Sequence, residues 1–289
     1  MSEPAVQPRP AWQPLTPFGV AAFANASTSR LLLVQVAVAA LCAAAAVWFV
    51  SDAWMPVARE AIARLPRGAE IRGGVLRWTT NTPIRLAENR YLALVVDAKA
   101  IGRVGRMADV ELVARDTHVV AASLLGSIQA PLPKRWIISL DPADAIPWWG
   151  AREGPFRGLL FLAVMIGLFF VWWGLSAVYC PVAWALAFWA DRRLGLAASW
   201  RLAAAALMPG ALLLAAGILS YDLLGLDLIS LGLVFLLHLL AGWVYLAISP
   251  WFLPRLPAAG SAGPNPFASP GTTDKPASRK SANPFAPPE

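Results

Sequence analysis

The sequence predicts a helical membrane protein with about four transmembrane helices and a small β-rich soluble domain inserted between the first and the second. Three observations carry that expectation. Side chains are 58% hydrophobic and only 14% charged, a balance that suits a chain whose mass lies mostly in lipid. No charged residue occurs from Gly158 to Ala190, and a helix of that length would rise roughly 50 Å against a hydrocarbon core of about 30 Å. Residues 51–157, by contrast, hold 15 of the 24 Lys and Arg together with 11 acids, enough polar surface for one small domain.

In order along the chain, residues 1–30 read as a tail. Five prolines in the first 17 positions leave little with which to build a core, and Trp12, Phe18 and Phe23 suit either an interfacial approach to a membrane or a plain linker. Leu31–Val50 is apolar over 20 residues with Gln35 its only strongly polar member, the length of one crossing. A secretory signal is the competing reading, but the leader lacks a basic start and the apolar stretch is too long. Cys42 follows Leu41 rather than a small residue, which argues against a lipoprotein signal.

The 51–157 domain is expected outside the cytoplasm. Pro56 and the following VAREAIARL set Val57, Ile62 and Leu65 against Arg59, Glu60 and Arg64, a short amphipathic helix ended by Pro66. Runs rich in Val, Ile, Leu and Trp follow at 70–78, 91–97, 109–114, 118–122 and 136–140. Gly73-Gly74, Asn81-Thr82-Pro83, Gly102, Gly105 and Pro131-Leu132-Pro133 separate them, so strands and turns are predicted. Leu92, Leu94 and Val96 alternate with Ala93, Val95 and Asp97, which predicts a mostly buried strand ending at a polar rim. Pro147-Trp148-Trp149-Gly150 brings the chain back to the interface.

Residues 158–253 form the membrane block. Pro181 removes a backbone donor and restrains Cys180, predicting a span over 158–179 and a separate Trp- and Phe-rich helix over 182–190, lying flat or re-entering the bilayer. Spans over 202–221, kinked at Pro209-Gly210, and over 228–249 complete the block. Residues 254–289 are rich in Pro, Ala and Ser, contain Asn-Pro-Phe-Ala at 265–268 and 283–286, and are expected to be disordered. Arg192, Arg193 and Arg201 flank one short loop and only Asp222 and Asp227 the next, so the first should be cytoplasmic and both termini with it. Arg59, Arg64, Arg152 and Arg157 count the other way. The Ala- and Arg-rich composition points to a bacterial cytoplasmic membrane.

Residues with catalytic chemistry are scarce. The formal charge of +7 is spread among acids, a basic surface suited to lipid headgroups rather than a nucleic-acid stripe. Cys42 and Cys180 both lie in apolar runs, so no disulfide framework is available. HExxH, metal-spaced Cys pairs, GxSxG and a phosphate loop are all missing; no catalytic, cofactor or metal residue is assigned and no cofactor is expected. His238, in FLLHLL, is a candidate intramembrane polar site, with an imidazole bonded to a neighbouring helix the plainer reading. His118 beside Asp116 reads as a solvated pair, and Arg103 and Arg106 beside Gly102 and Gly105 as a turn rather than an anion loop. The most distinctive polar stretch runs from Arg77 to Arg90. Within it Arg77, Asn81, Arg85, Asn89 and Arg90, with Asp97 on the next strand, are candidates for binding a headgroup, a sugar or a partner; an ordinary hairpin connection is the alternative.

Ile71-Arg72-Gly73-Gly74-Val75-Leu76, then Asn81-Thr82-Pro83, then Leu94-Val95-Val96-Asp97, resembles an uncharacterised bacterial multi-pass membrane-protein family sometimes labelled maltodextrin-utilisation protein. The resemblance implies a cytoplasmic-membrane protein and brings no activity and no site residue. Function is therefore expected to be non-enzymatic binding of a ligand or partner by the extracytoplasmic domain, beside a transporter or envelope complex. The alternatives are a transport component with its path through helices two to four, and a membrane-embedded enzyme acting on lipid. Expected partners are the lipid bilayer and a membrane protein or second copy, not nucleic acid.

Overall fold

The computed structural model describes residues 11–79, 82–99 and 108–255. The chain divides into two compact units, Met1–Pro254 and Arg255–Glu289; the second, with both Asn-Pro-Phe-Ala segments, lies almost wholly outside the described residues. The first unit opens with helices α1 (Pro17–Ala22), α2 (Thr28–Phe49) and α3 (Met55–Ala63). Strands β1 (Glu70–Arg72), β2 (Val75–Arg77), β3 (Ile84–Glu88), β4 (Leu92–Val96), β5 (Val110–Ala114), β6 (His118–Ser123), β7 (Gly126–Pro131) and β8 (Ile137–Ser139) follow. Helices α4 (Pro142–Trp189), α5 (Leu196–Ala206), α6 (Met208–Leu223) and α7 (Leu228–Ile248) complete it.

Polar caps start the helices. Thr16, Ser27, Asp141 and Asp227 accept from the backbone N–H of Gly19, Arg30, Ala143 and Ser230 at the starts of α1, α2, α4 and α7, each satisfying a donor that the first turn leaves open. Between α2 and α3 the backbone continues through a π turn at Val50–Trp54. The break expected at Pro209-Gly210 falls at Leu207, between α5 and α6, so that Pro209 lies in a first turn where its missing N–H breaks no bond. Thr28–Ala63, Pro142–Trp189, Leu196–Leu223 and Leu228–Phe252 are long and apolar enough to cross a membrane, by length and composition.

The strands form two sheets, ordered β2-β1-β8 and β3-β4-β5-β6-β7. All pairings are antiparallel except β4 with β5. Gly73 and Gly74 both have positive φ, 62° and 80°, the conformation that a two-residue hairpin turn matched to strand twist requires. The β5–β6 turn joins the sheets, with Asp116 O accepting from Leu76 N–H at 2.6 Å, while Thr117 O accepts from Leu132 N–H at 2.9 Å and extends the β6–β7 pairing. Helix α3 lies across them, burying Val57 and Ala61 with Leu76, Leu86, Leu92, Val96 and Leu132. A second core among the helices contains Leu31, Trp172, Ala183, Ala187, Met208 and the run Leu202–Ala206.

These elements correct the expected fold class. The chain is not a helical membrane fold with a minor β-rich insert but a mixed α and β fold, with sheets of three and five strands and one helix of 48 residues; its four apolar helices are apolar by length and composition alone. Two strands lie where connections were expected. β3 carries Arg85 and Glu88, and β7 carries Gly, Ser, Gln and Pro, so neither shows the apolar signature, yet both complete their hydrogen bonds along a neighbour. The separate helix over 182–190 does not form either. Helix α4 runs through Pro147, Pro155 and Pro181 because Ala183 and Ala187, both fully buried, seat its last turns in the helical core. It ends where Asp191 turns left-handed at φ 54°, with Asp191 N–H bonded to Phe188 O and Arg192 N–H to Ala187 O, a Schellman closure.

Candidate functional site

The polar stretch between β3 and β4 is a joint with the helices. Asn89 Oδ1 accepts from the N–H groups of Tyr91 and Leu92, both at 2.9 Å, which closes the turn, while its Nδ2 donates to Ala53 O at 2.6 Å. Arg90 donates to Gly225 O at 2.6 Å and also to Leu226 O. Tyr91 Oη lies 3.1 Å from Tyr221 O and 3.2 Å from Asp222 O, and the Tyr221 hydroxyl donates to the Asp109 carboxylate. Phe49, Tyr91 and Tyr221 pack beneath, with ring centroids 4.9 to 5.6 Å apart. Asn89 and Arg90 thus spend their donors on the chain's own backbone. Nearby, Asp227 is held below the usual carboxylate range by hydrogen bonds from Ser230 and, less, by the charge of Arg90.

The other sequence candidates lie elsewhere. Arg77 pairs with Glu70 at 3.1 Å across the β1–β2 hairpin. Arg85 pairs with Glu88 at 2.8 Å along β3, and Asp97 follows β4 at the opposite end of the five-stranded sheet, where Ile84 faces Val96. Asp97 is buried at 3% exposure, not on a polar rim, and is not without a partner. Asn81, and the Gly102 to Arg106 segment, lie outside the described residues. Asp116 and His118 do not bond to one another: both engage Thr117. Among the described residues no group of three or more His, Cys, Asp or Glu could hold a metal ion.

One concavity of the β-domain was hidden in residues that read as core. Between α3 and the two sheets lies a cavity of about 370 Å³ walled by Ala61, Leu65, Leu76, Leu94, Leu132 and Trp78. That is well over twice the roughly 150 Å³ apolar cavity that holds benzene, and inside the usual range for ligand pockets. The wall is apolar, yet the indole N–H of Trp78 is buried with no hydrogen-bond partner among the described residues. Val96, Ala114 and Val119 also line it, so it occupies the end of the five-stranded sheet away from the joint. Core and pocket share one signature in sequence, apolar side chains at strand and helix spacing, and only the volume left between them distinguishes the two.

His238 lines a smaller cavity, about 190 Å³, between α2, α4, α6 and α7. Its Nδ1 contacts Phe235 O of its own helix; a carbonyl only accepts, so the hydrogen belongs on Nδ1. Trp243 Nε1 donates to the Tyr179 hydroxyl at 3.1 Å across α4 and α7. The lining brings no acid or arginine to His238.

No family model matches the chain, and neither a curated protein nor a solved structure does.

Proposed function

We propose that the chain is an integral binding protein of a bacterial cytoplasmic membrane, whose domain between α2 and α4 stands outside the cytoplasm and takes an apolar ligand beneath α3. The observation that carries this reading is the cavity of about 370 Å³ with an apolar wall. A ligand with a hydrocarbon body would fill that space and exchange water for an apolar surround. The joint at Asn89–Tyr91 supports the same reading, because it couples the binding domain to the apolar helices through several hydrogen bonds. Resemblance to the bacterial multi-pass family is compatible with this location and adds no activity.

The test uses the full chain in lipid nanodiscs with a diazirine-bearing palmitic acid as photoprobe, adducts being mapped by mass spectrometry. Adducts are expected on α3 and β4, and they should disappear in Leu94→Trp, whose indole fills the cavity, while circular dichroism and the melting temperature show that the variant is folded. Adducts confined to the outer surfaces of α2, α4, α6 and α7, unchanged by Leu94→Trp, would overturn the proposal.

A further inference from the structure

Strand register places a bare apolar tip beside the helices. Leu92 pairs with Val110, Val110 with Ser123, and Ser123 with Gly126. The β6–β7 turn, Leu124-Leu125, is therefore at the same end of the sheet as Tyr91 and Asp109, the two residues bonded to α6. Adjacent strands are about 4.8 Å apart, so β7 stands roughly 10 Å to the side of β5, whose preceding residue Asp109 is bonded to α6. Leu124 is 67% exposed, Leu125 92% and Ile128 76%. At the end of α6, Leu223 and Leu224 are exposed too.

Composition and backbone bonding point the same way. From Val119 to Pro133 there is no charged side chain, although β7 is an edge strand with all six residues exposed, and water-facing edges are usually guarded by charge. Ser123 Oγ accepts the Leu125 N–H at 3.2 Å, so the tip satisfies this donor internally, as a lipid setting demands. We infer that the β6–β7 tip enters the bilayer, with Leu124 and Leu125 at the boundary of headgroups and acyl chains beside α6. The domain then meets the membrane at a second point, laterally displaced from the Asn89–Tyr91 joint. This rests on the proposed membrane placement of the helices.

The test is depth-dependent quenching on the full chain with Cys42→Ala and Cys180→Ala. Single cysteines at Leu125→Cys, Thr117→Cys and Leu236→Cys carry an environment-sensitive nitrobenzoxadiazole label, in phosphatidylcholine–phosphatidylglycerol vesicles with or without brominated acyl chains. Thr117 marks the far end of the same sheet, and Leu236 is an exposed residue of α7. Bromolipid quenching at Leu125 several-fold above that at Thr117, with Leu236 also quenched, is the expected result. Quenching at Leu236 but not at Leu125 overturns the inference and leaves the membrane reading standing, whether Leu125 is then open to aqueous iodide or shielded by a second copy. No quenching at Leu236 overturns both.

Discussion

At Gln35 the helical core encloses an amide whose Oε1 and Nε2 both lack a partner among the described residues while the side chain is fully buried. An unsatisfied buried polar group costs about 1–3 kcal/mol, and leucine is close in volume. Gln35→Leu is therefore expected to stabilise the protein by about 1–2 kcal/mol, read as a higher unfolding midpoint; a lower midpoint would reveal that the amide has a partner from lipid or from a second copy. Gln35 was conspicuous in the sequence as the one polar residue of an apolar run, but its isolation was not, because isolation depends on which helices surround it. Asn89 and Arg90 show the converse. Their polarity was legible, while their partners were not: Arg90 binds the carbonyl of Gly225, 135 positions away, and a backbone carbonyl has no signature in the identity of its residue.

Helix contacts are set by where side chains are missing. On α6, a Cβ at Gly210 would overlap the carbonyl oxygen of His238 on α7, and one at Gly217 would overlap the Val234 side chain; the two glycines, seven positions apart, lie on one face. Gly232, on α7, has open space around it. Alanine should then act with opposite sign at the two kinds of position. Gly232→Ala is expected to stabilise by about 0.5–1 kcal/mol through chain entropy, and Gly210→Ala to destabilise by about 1–3 kcal/mol because a backbone carbonyl cannot move aside; thermal unfolding of both variants decides it. Elements with a strong local signature were legible in the sequence, namely the Gly73-Gly74 turn, β4, β5, β6 and β8, and the amphipathic α3. Those that depend on neighbours were not. β3 and β7 are strands because of the strands beside them, and α4 passes through Pro181 because buried Ala183 and Ala187 hold its far side.

The first unit has two distinct ends, and they set the prediction that governs the rest. At one, α1, the α4–α5 loop and the 3-10 turn Ser249–Phe252 gather: Arg201 donates to Ala24 O at 2.7 Å, Arg192 to Leu253 O, and Phe18 meets Phe252 edge-on at 6.3 Å. At the other, α2, α6 and α7 meet the β-domain through the joint. Arg30, Arg192, Arg193 and Arg201 belong to the first end, whereas the short α6–α7 loop at the second carries only Asp222 and Asp227. Of the arginines that count against this asymmetry, Arg59 and Arg157 share Glu153 and Arg64 pairs with Glu60, while Arg152 donates to the Trp148 carbonyl. Short-loop Lys and Arg favour the cytoplasmic side, so the first end should be inside. With Cys42→Ala and Cys180→Ala in place, Thr117→Cys should react with a membrane-impermeant maleimide in intact cells, and Leu196→Cys, exposed beside the α4–α5 loop, only after permeabilisation. The reverse pattern would put the cavity beneath α3 in the cytoplasm, where its ligand would have to be a cytoplasmic one. Reaction at both sites without permeabilisation would mean that the two ends do not face different compartments, and the membrane placement itself would fall.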